Sequence, residues 1–344
     1  MDIQVINPIG YHCWNELILK TKTYSFFHSS DWAKVLNASY RYTPFYFTLF
    51  NGDKIAASIP IMEVKSIITG RRGVSLPFTD YCEPIFDEDI QFKNLYYQII
   101  DYGKKLRWRY LELRDGQEVL NNVISSEKYL HHSLDLTPKE NTIFSKFGRG
   151  TKSSIHKAAR DGVVVRILNT LESINEFYKL NNITRKRHGL PPQPLYFFKK
   201  LYKHVISENL GFVALAYFQE KVIAGAIYVH FGEKAIYKYG ASDAHFQRLR
   251  ANNLIMWEAI QWYCQHNYRT LCFGRTELKN EGLRRFKTGW GTKEDTINYY
   301  KYDLRNNVFV KNRPVISAFN SKIFSKMPVH LLNILGSLLY RHMG

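Results

Sequence analysis

Apolar and polar positions change period several times along the chain, and each change marks an element. Pro44–Phe50 (PFYFTLF) and Lys54–Val64 (KIAASIPIMEV) are dense in aromatic and β-branched residues. Asn51-Gly52-Asp53 separates them, which predicts a hairpin. A helical pattern near Ile90–Lys105 comes next, followed by a strand over Trp108–Arg114 (WRYLELR), a short helix, and a strand over His131–Leu136 that Pro138 closes. The second half repeats this order. Gly211–Phe218, Lys221–His230 and Lys234–Gly240 read as a meander. Asn253–His266 is apolar nearly all round, the mark of a helix covered on several sides. The strand TLCFG (270–274), a loop and the strand INYYKYDL (297–304) complete the unit. The order of elements is duplicated without a sequence repeat. The expectation is an α/β (α+β) chain with domains over 1–137 and 138–305 and an amphipathic tail over 306–344.

Three segments stand out against this background. Between the halves lies FSKFGRGTKSSIHKAARDGVVVRI, a helix that Thr151 or Ser153 can cap and Gly162 ends. Arg149, Lys152, His156 and Arg160 share one of its faces, while Phe147, Ile155 and Ala158 take the other. Asp161 is the only acid between Lys146 and Arg166. The stripe reads either as a solvated face or as a phosphate-binding surface. A second basic cluster, Arg185, Lys186, Arg187 and His188, precedes GLPPQP and a helix from Leu195 to Ser207. The third segment, TLCFGRTELKNEGLRRFKTGWGT (270–292), leaves a buried strand at Arg275. It sets Arg284, Arg285 and Lys287 around Phe286 and ends on Gly289-Trp290-Gly291. A glycine- and cation-rich loop in that position is expected to surround an anion, the glycines making room for a ligand backbone.

Composition narrows the partners. The chain has 344 residues, 45% hydrophobic, enough for one large or two medium cores. Its 48 Lys+Arg against 30 Asp+Glu, a net +18, favour RNA, nucleotides, lipid headgroups or a phosphorylated substrate. Cys13, Cys82, Cys264 and Cys272 show no C-x-x-C spacing and read as reduced, buried thiols of a cytosolic protein. His131 and His132, adjacent on a strand, point to opposite faces, and no structural metal is expected. The amino-terminal segment lacks the basic-then-apolar pattern of a signal peptide, and no window reaches the roughly 20 apolar residues of a membrane span. A cytoplasmic protein is predicted.

Strand–FGR–GL–FK–WG–strand resembles the C-terminal signature of the FemAB-like proteins, the peptidoglycan interpeptide-bridge aminoacyltransferases and their relatives. SLPFTDYCEP (75–84), WRYLELR, KSSIHKAARDGV, RKRHGLPPQP and NNLIMWEAI resemble the same group and in the same order. The tail KMPVHLLNILGSLLYRHMG resembles the end of the branch associated with exosortase/PEP-CTERM and exopolysaccharide loci. No sustained heptad stretch matches the coiled-coil arm that some bridge-forming enzymes carry. The resemblance implies two tandem GNAT-like acyltransferase domains. It also implies transfer of an aminoacyl or acyl group to an amine of a cell-envelope precursor, phosphorylated or lipid-linked. No tightly bound cofactor is implied, and the donor the resemblance implies is aminoacyl-tRNA.

Within that reading Phe286 and Lys287 match the Phe-Lys pair that lies by the acceptor and the donor's terminal ribose, and Lys287 would stabilise the tetrahedral oxygen. Asp243 and Tyr239, near a strand end, are candidates to orient or deprotonate the amine. Arg149, Lys152, His156, Arg160, Arg187, Arg275, Arg284 and Arg285 are candidate substrate ligands. Asp80 and Tyr81 are placed to line a groove between the halves. No Ser-His-Asp or Cys-His arrangement is readable, so the amine is expected to attack directly. Two alternatives stay open. One is an acyl-CoA-dependent N-acyltransferase, although the [RQ]-x-x-G-x-[GA] glycines are missing from FQRLRANNLIMW. The other is a non-enzymatic polyanion binder. In the tail, Ile323, Phe324, Met327, Leu331, Leu335, Leu338 and Leu339, flanked by Lys322, Lys326, Arg341 and His342, either pack on the second domain or contact the membrane peripherally.

Overall fold

The computed structural model describes residues 3–87, 92–116, 120, 123–311 and 318–344. Its strands are β1 (Gln4–Ile6), β2 (Thr43–Asn51), β3 (Lys54–Ser66), β4 (Gly70–Val74), β5 (Ile85–Phe86), β6 (Tyr110–Arg114), β7 (Glu127–Asp135), β8 (Val164–Leu168), β9 (Gly211–Phe218), β10 (Lys221–Phe231), β11 (Lys234–Ser242), β12 (Thr270–Glu277), β13 (Lys293–Asp303) and β14 (Val308–Phe309). Its helices are α1 (Trp14–Leu19), α2 (Ser30–Tyr40), α3 (Phe92–Lys105), α4 (Glu140–Ser145), α5 (Arg149–Arg160), α6 (Leu171–Arg187), α7 (Leu195–Leu201), α8 (Ala251–Gln265), α9 (Glu281–Thr288), α10 (Ala318–Lys326) and α11 (Val329–Met343). The expected helix near Ile90 is present from Phe92; its first two positions, and most of the short helix expected after Arg114, lie outside the described residues.

The chain divides into two compact units. One holds residues 1–129, 296–313 and 339–344, and the other 130–295 and 314–338. In the first, β1-β2-β3-β4-β6 pair in that order, with β4 and β6 parallel. The strand INYYKYDL was expected to finish the second half. From Tyr299 it instead runs antiparallel to β6, with Tyr299 opposite Arg114 and Asp303 opposite Tyr110. Alternation along a strand sets which face each side chain takes but not which edge the strand joins. Leu111, Leu113 and Tyr300 face a core shared with Leu95, Ile99 and Ile100 of α3.

In the second unit the sheet runs β7-β12-β11-β10-β9-β8. The meander is antiparallel, and β11 and β12 are parallel. Helix α8 lies on one face of this sheet, its Leu254, Ile255, Met256, Ala259, Ile260 and Tyr263 buried against Phe212, Tyr228, Leu271 and Phe273. The apolar-all-round pattern of this segment thus marks a helix covered on several sides. Helix α6 lies against β10 and β11.

Candidate active site

The segment read as a loop after β12 is largely helical. Asn280 caps α9 by accepting from the Leu283 N–H at 3.1 Å, and Glu281 stands in the first turn with Arg285 and Lys287 in the last. The turn of the helix then sorts the cations. Arg284 is exposed and bound to both carboxylate oxygens of Glu294, at 2.8 and 2.6 Å. Arg285 is exposed and paired with Glu281 at 2.8 Å. Neither is an uncommitted anion ligand. Lys287 points the opposite way. It is 2% exposed, and its Nζ donates to the carbonyls of Gly274 at 2.8 Å and Arg275 at 3.0 Å. Arg275 therefore meets Lys287 through its backbone. Trp290 is fully buried against Phe147, ring centres 5.0 Å apart, and Phe286 packs at its edge.

The glycines of this segment serve packing. A Cβ on Gly289 would lie 2.6 Å from Thr151 Oγ1, and one on Gly291 would lie 3.1 Å from the Lys146 carbonyl. The Gly289 carbonyl accepts from the Gly148 N–H at 2.9 Å. The room expected for a ligand backbone is filled by the chain that starts α5. Gly148, rather than Thr151 or Ser153, is the N-cap of that helix, and Gly162 ends it at φ 84°. Ile155 and Ala158 are buried on the α8 side, whereas Arg149, His156 and Arg160 are exposed. Lys152 donates to the Ser145 carbonyl at 2.7 Å, and Arg160 lies 3.5 Å from Asp161. The stripe faces solvent while Lys287 turns in toward β12. Arg187 is exposed in the last turn of α6, where cations suit the helix dipole.

Two other candidates separate. A register shift opposite Ile227 and Tyr228 leaves Lys238 as an extra residue in β11. Tyr237 accordingly packs on Tyr228, while Tyr239 turns to the other face, against Phe197 and Phe198. Asp243 instead caps the turn Ala244–Leu249, accepting from the His245 N–H at 3.0 Å and lying 2.7 Å from His245 Nδ1. Burial works to raise its pKa, but the His245 hydrogen bonds, with the charges of His245 and Lys221, outweigh it and hold the group below the usual range. That is a committed carboxylate, poorly suited as a base. Asp243 and Phe286 do share a cavity of about 160 Å³ at the start of α8, with Ser242, Arg250 and Asn253 on its wall. Arg250, where the CoA motif has its first glycine, adopts φ 57°. The left-handed turn persists without glycine, at a cost of roughly 1–2 kcal/mol. In the first unit, the Asp80 carbonyl accepts from Tyr299 Oη at 2.7 Å, and Tyr81 packs on Phe27.

Sequence reasoning missed the neighbours of Lys287. His132 is fully buried, with Nε2 3.0 Å from Glu294, so Arg284, Glu294 and His132 form one network. Burial first, then the charge of Lys287, holds the His132 pKa below its ordinary value. His131, on the other face, lies 3.1 Å from Cys272 Sγ, a Cys-His contact made across 141 residues. All four cysteines are free, and Cys13 is exposed rather than buried. The signal was the alternation in HHSLDL. The partners, however, came from distant strands.

Residues 145–293 match the acetyltransferase (GNAT) domain family. A UDP-N-acetylmuramoylpentapeptide-lysine N(6)-alanyltransferase of Weissella viridescens is 26% identical over 188 residues, 54% of this chain and 50% of that protein. The chain thus spans about half the length of the curated relative it matches. The crystal structure of FemX superposes with a TM-score of 0.67 at 13% identity, covering 87% of this chain and 97% of that one. A tandem GNAT protein from the clavulanic acid biosynthesis pathway superposes with a TM-score of 0.54 at 6% identity, covering 88% and 99%. The fold is the tandem GNAT-like arrangement expected from the sequence.

Proposed function

Taking the chain as a FemAB-like protein that carries a GNAT acetyltransferase domain, we propose that it is an amide-forming acyltransferase, moving an aminoacyl group from aminoacyl-tRNA to an amine of a peptidoglycan precursor without a tightly bound cofactor. The observation that carries this reading is the buried ammonium of Lys287, held by two carbonyls at the end of β12 and preceded by Phe286 on the cavity wall. The amine nitrogen attacks the ester carbonyl carbon and the C–N bond forms. The ribose oxygen leaves with the ester bond's electron pair and receives the proton the amine loses. Full negative charge appears only on the tetrahedral oxygen, so a cation fixed in a dry position favours the transition state over the ground state. Asp243 and Tyr239 have no part in this scheme. The exposed cations of α5, with Arg187, are assigned to phosphates of the donor or precursor.

The lipid-linked form of the precursor is the acceptor we favour in the cell. Leu331, Ile334 and Leu338 form an exposed apolar line on α11, with Lys326 and Arg341 exposed nearby. Such a face suits an anionic membrane surface and supports the reading in which the enzyme works peripherally at the inner side of the cell membrane. One observation favours a second reading, an acyl-CoA donor: the left-handed Arg250 beside the cavity at the start of α8.

The experiment is a transfer assay with alanyl-tRNA and UDP-N-acetylmuramoylpentapeptide, the acceptor in the Weissella relative's name, run beside calorimetry with CoA and acetyl-CoA. Product that disappears on RNase treatment, and falls about 100- to 1000-fold in Lys287→Met, is expected. Micromolar CoA binding with tRNA-independent turnover would establish the second reading instead.

A further inference from the structure

The first unit has a sheet face that the proposed transfer chemistry does not use. Leu111, Leu113 and Tyr300 turn to the core with α3, so by alternation Glu112 and Arg114 of β6 and Tyr299, Lys301 and Asp303 of β13 share the opposite face, where the Tyr110 ring, which also touches the edge of that core, meets Lys301 and Arg72. Such a face is ordinarily solvated. This one is largely enclosed: Tyr299 and Arg72 are each 2% exposed, and the side chains of Glu112 and Arg114 are 12% exposed. The loop after β4, with Leu76 and Phe78 at φ 56° and 61°, covers one end, where Arg114 donates to the carbonyls of Leu76 and Thr79.

Most charges here are engaged. Arg114 is paired with Glu112 at 2.9 Å. Arg72 donates to the carbonyls of His342 and Gly344, each at 2.8 Å. Glu127 accepts from the Tyr129 hydroxyl, and Asp303 accepts from the backbone of Arg305 and Asn306. The Lys301 ammonium is different. It is half-buried with Nζ 3.8 Å from the centre of the Tyr110 ring, and it has neither a hydrogen bond nor an ion pair among the described residues. Burial, the largest cause, lowers its pKa and Arg72 works the same way, while Glu112, directly opposite on β6, and then Glu127 and Asp303 work against them. Keeping a partly desolvated cation without an acceptor is unfavourable unless something else supplies one.

We propose that Lys301 and the Tyr110 ring form a binding subsite for a single carboxylate of a peptide or amino-acid ligand. The charge balance selects that class. Glu112, Glu127 and Asp303 are close enough to act on Lys301 electrostatically, and they would repel a phosphate dianion more strongly than a monoanion. The ammonium supplies donors to the carboxylate, and the ring beneath supplies an apolar wall. This subsite goes beyond the transfer reading, because it requires only that the ligand carry a carboxylate and leaves open which group is moved.

The test is calorimetry on the full chain with N-acetyl-alanyl-alanine, its C-terminal amide and phenyl phosphate, in the wild type and in Lys301→Met. The free acid is expected to bind the wild type at least about tenfold more tightly than the amide, and more tightly than phenyl phosphate. In Lys301→Met the acid and amide are expected to bind alike. A merely structural lysine, holding Tyr110 in place, would make Lys301→Met less stable, whereas a cation awaiting a ligand predicts an unchanged or raised melting temperature. Equal binding of acid and amide to the wild type, tighter binding of phenyl phosphate, no binding at millimolar concentrations, or a lowered melting temperature would each overturn the proposal. Binding is read without turnover, so failure of the transfer assay leaves this result interpretable.

Discussion

Single residues carry the sharpest consequences. Removing Lys287 does more than delete a charge, because the carbonyls of Gly274 and Arg275 lose its hydrogen bonds inside the protein. A destabilisation of about 1–3 kcal/mol is expected, and activity must be measured on the fraction shown to be folded by circular dichroism. His230 offers a second test. Its Nε2 lies 2.8 Å from the Asn209 carbonyl and its ring is buried beside Trp262, and burial pushes its pKa down from 6.5 to about 4. The unfolded chain then binds the proton first. Stability should fall as pH drops from 6.5 toward 4, by roughly 3 kcal/mol in total from this group. Urea unfolding at several pH values should show a shallower fall in His230→Gln. Parallel profiles would mean that His230 contributes nothing to the slope.

At the scale of elements, the contact between α5 and α9 decides what the glycines are for. Gly289 meets Thr151 Oγ1 where a Cβ would be only 2.6 Å away. Gly289→Ala should destabilise by about 1–3 kcal/mol through overpacking. Adding Thr151→Ala should recover part of the loss, a coupling that a double-mutant cycle in urea measures. Additive losses would show that the helix ends are not in the contact described. None of this could be read from Gly289-Trp290-Gly291 alone, since a glycine that admits a ligand and one that admits a neighbouring helix look identical in sequence. The helix α9 itself was partly legible: Asn280 and Glu281 are an ordinary N-terminal signal.

For the whole molecule, the question is what the tail touches. In the second unit, Leu332 is buried, and a Cβ on Gly336 would lie 2.1 Å from the Pro192 carbonyl. In the first, Tyr340 packs on Phe78, and the Tyr42 hydroxyl donates to the Tyr340 and Arg341 carbonyls. One side of α11 is thus packed, and Leu331, Ile334 and Leu338 remain outside. No helix among the described residues is long and apolar enough to cross a membrane, so any lipid contact made by α11 would be interfacial. Replacing Leu331, Ile334 and Leu338 by Ser should leave the melting temperature nearly unchanged and reduce flotation with anionic liposomes several-fold. Unchanged flotation would remove the membrane role and leave α11 a packing helix.

What the sequence determined by itself is what near neighbours control. The hairpin at Asn51-Gly52-Asp53, the meander from Gly211, the buried helix from Ala251 and the two faces of α5 follow from periodicity and from caps within a few residues. That Phe286 and Lys287 lie between a strand and Trp290 was also legible, whereas their part in the reaction comes from the resemblance and belongs to the proposal. Tertiary structure decided the rest, because the deciding contacts join residues far apart. Lys287 is turned inward by carbonyls 12 and 13 residues away, Arg284 is paired with Glu294, and Tyr239 is turned over by the irregular register of β11 against β10. Whether a charge is a ligand or a structural partner depends on which opposite charges and carbonyls the fold brings within about 3 Å. One-dimensional spacing does not encode that distance.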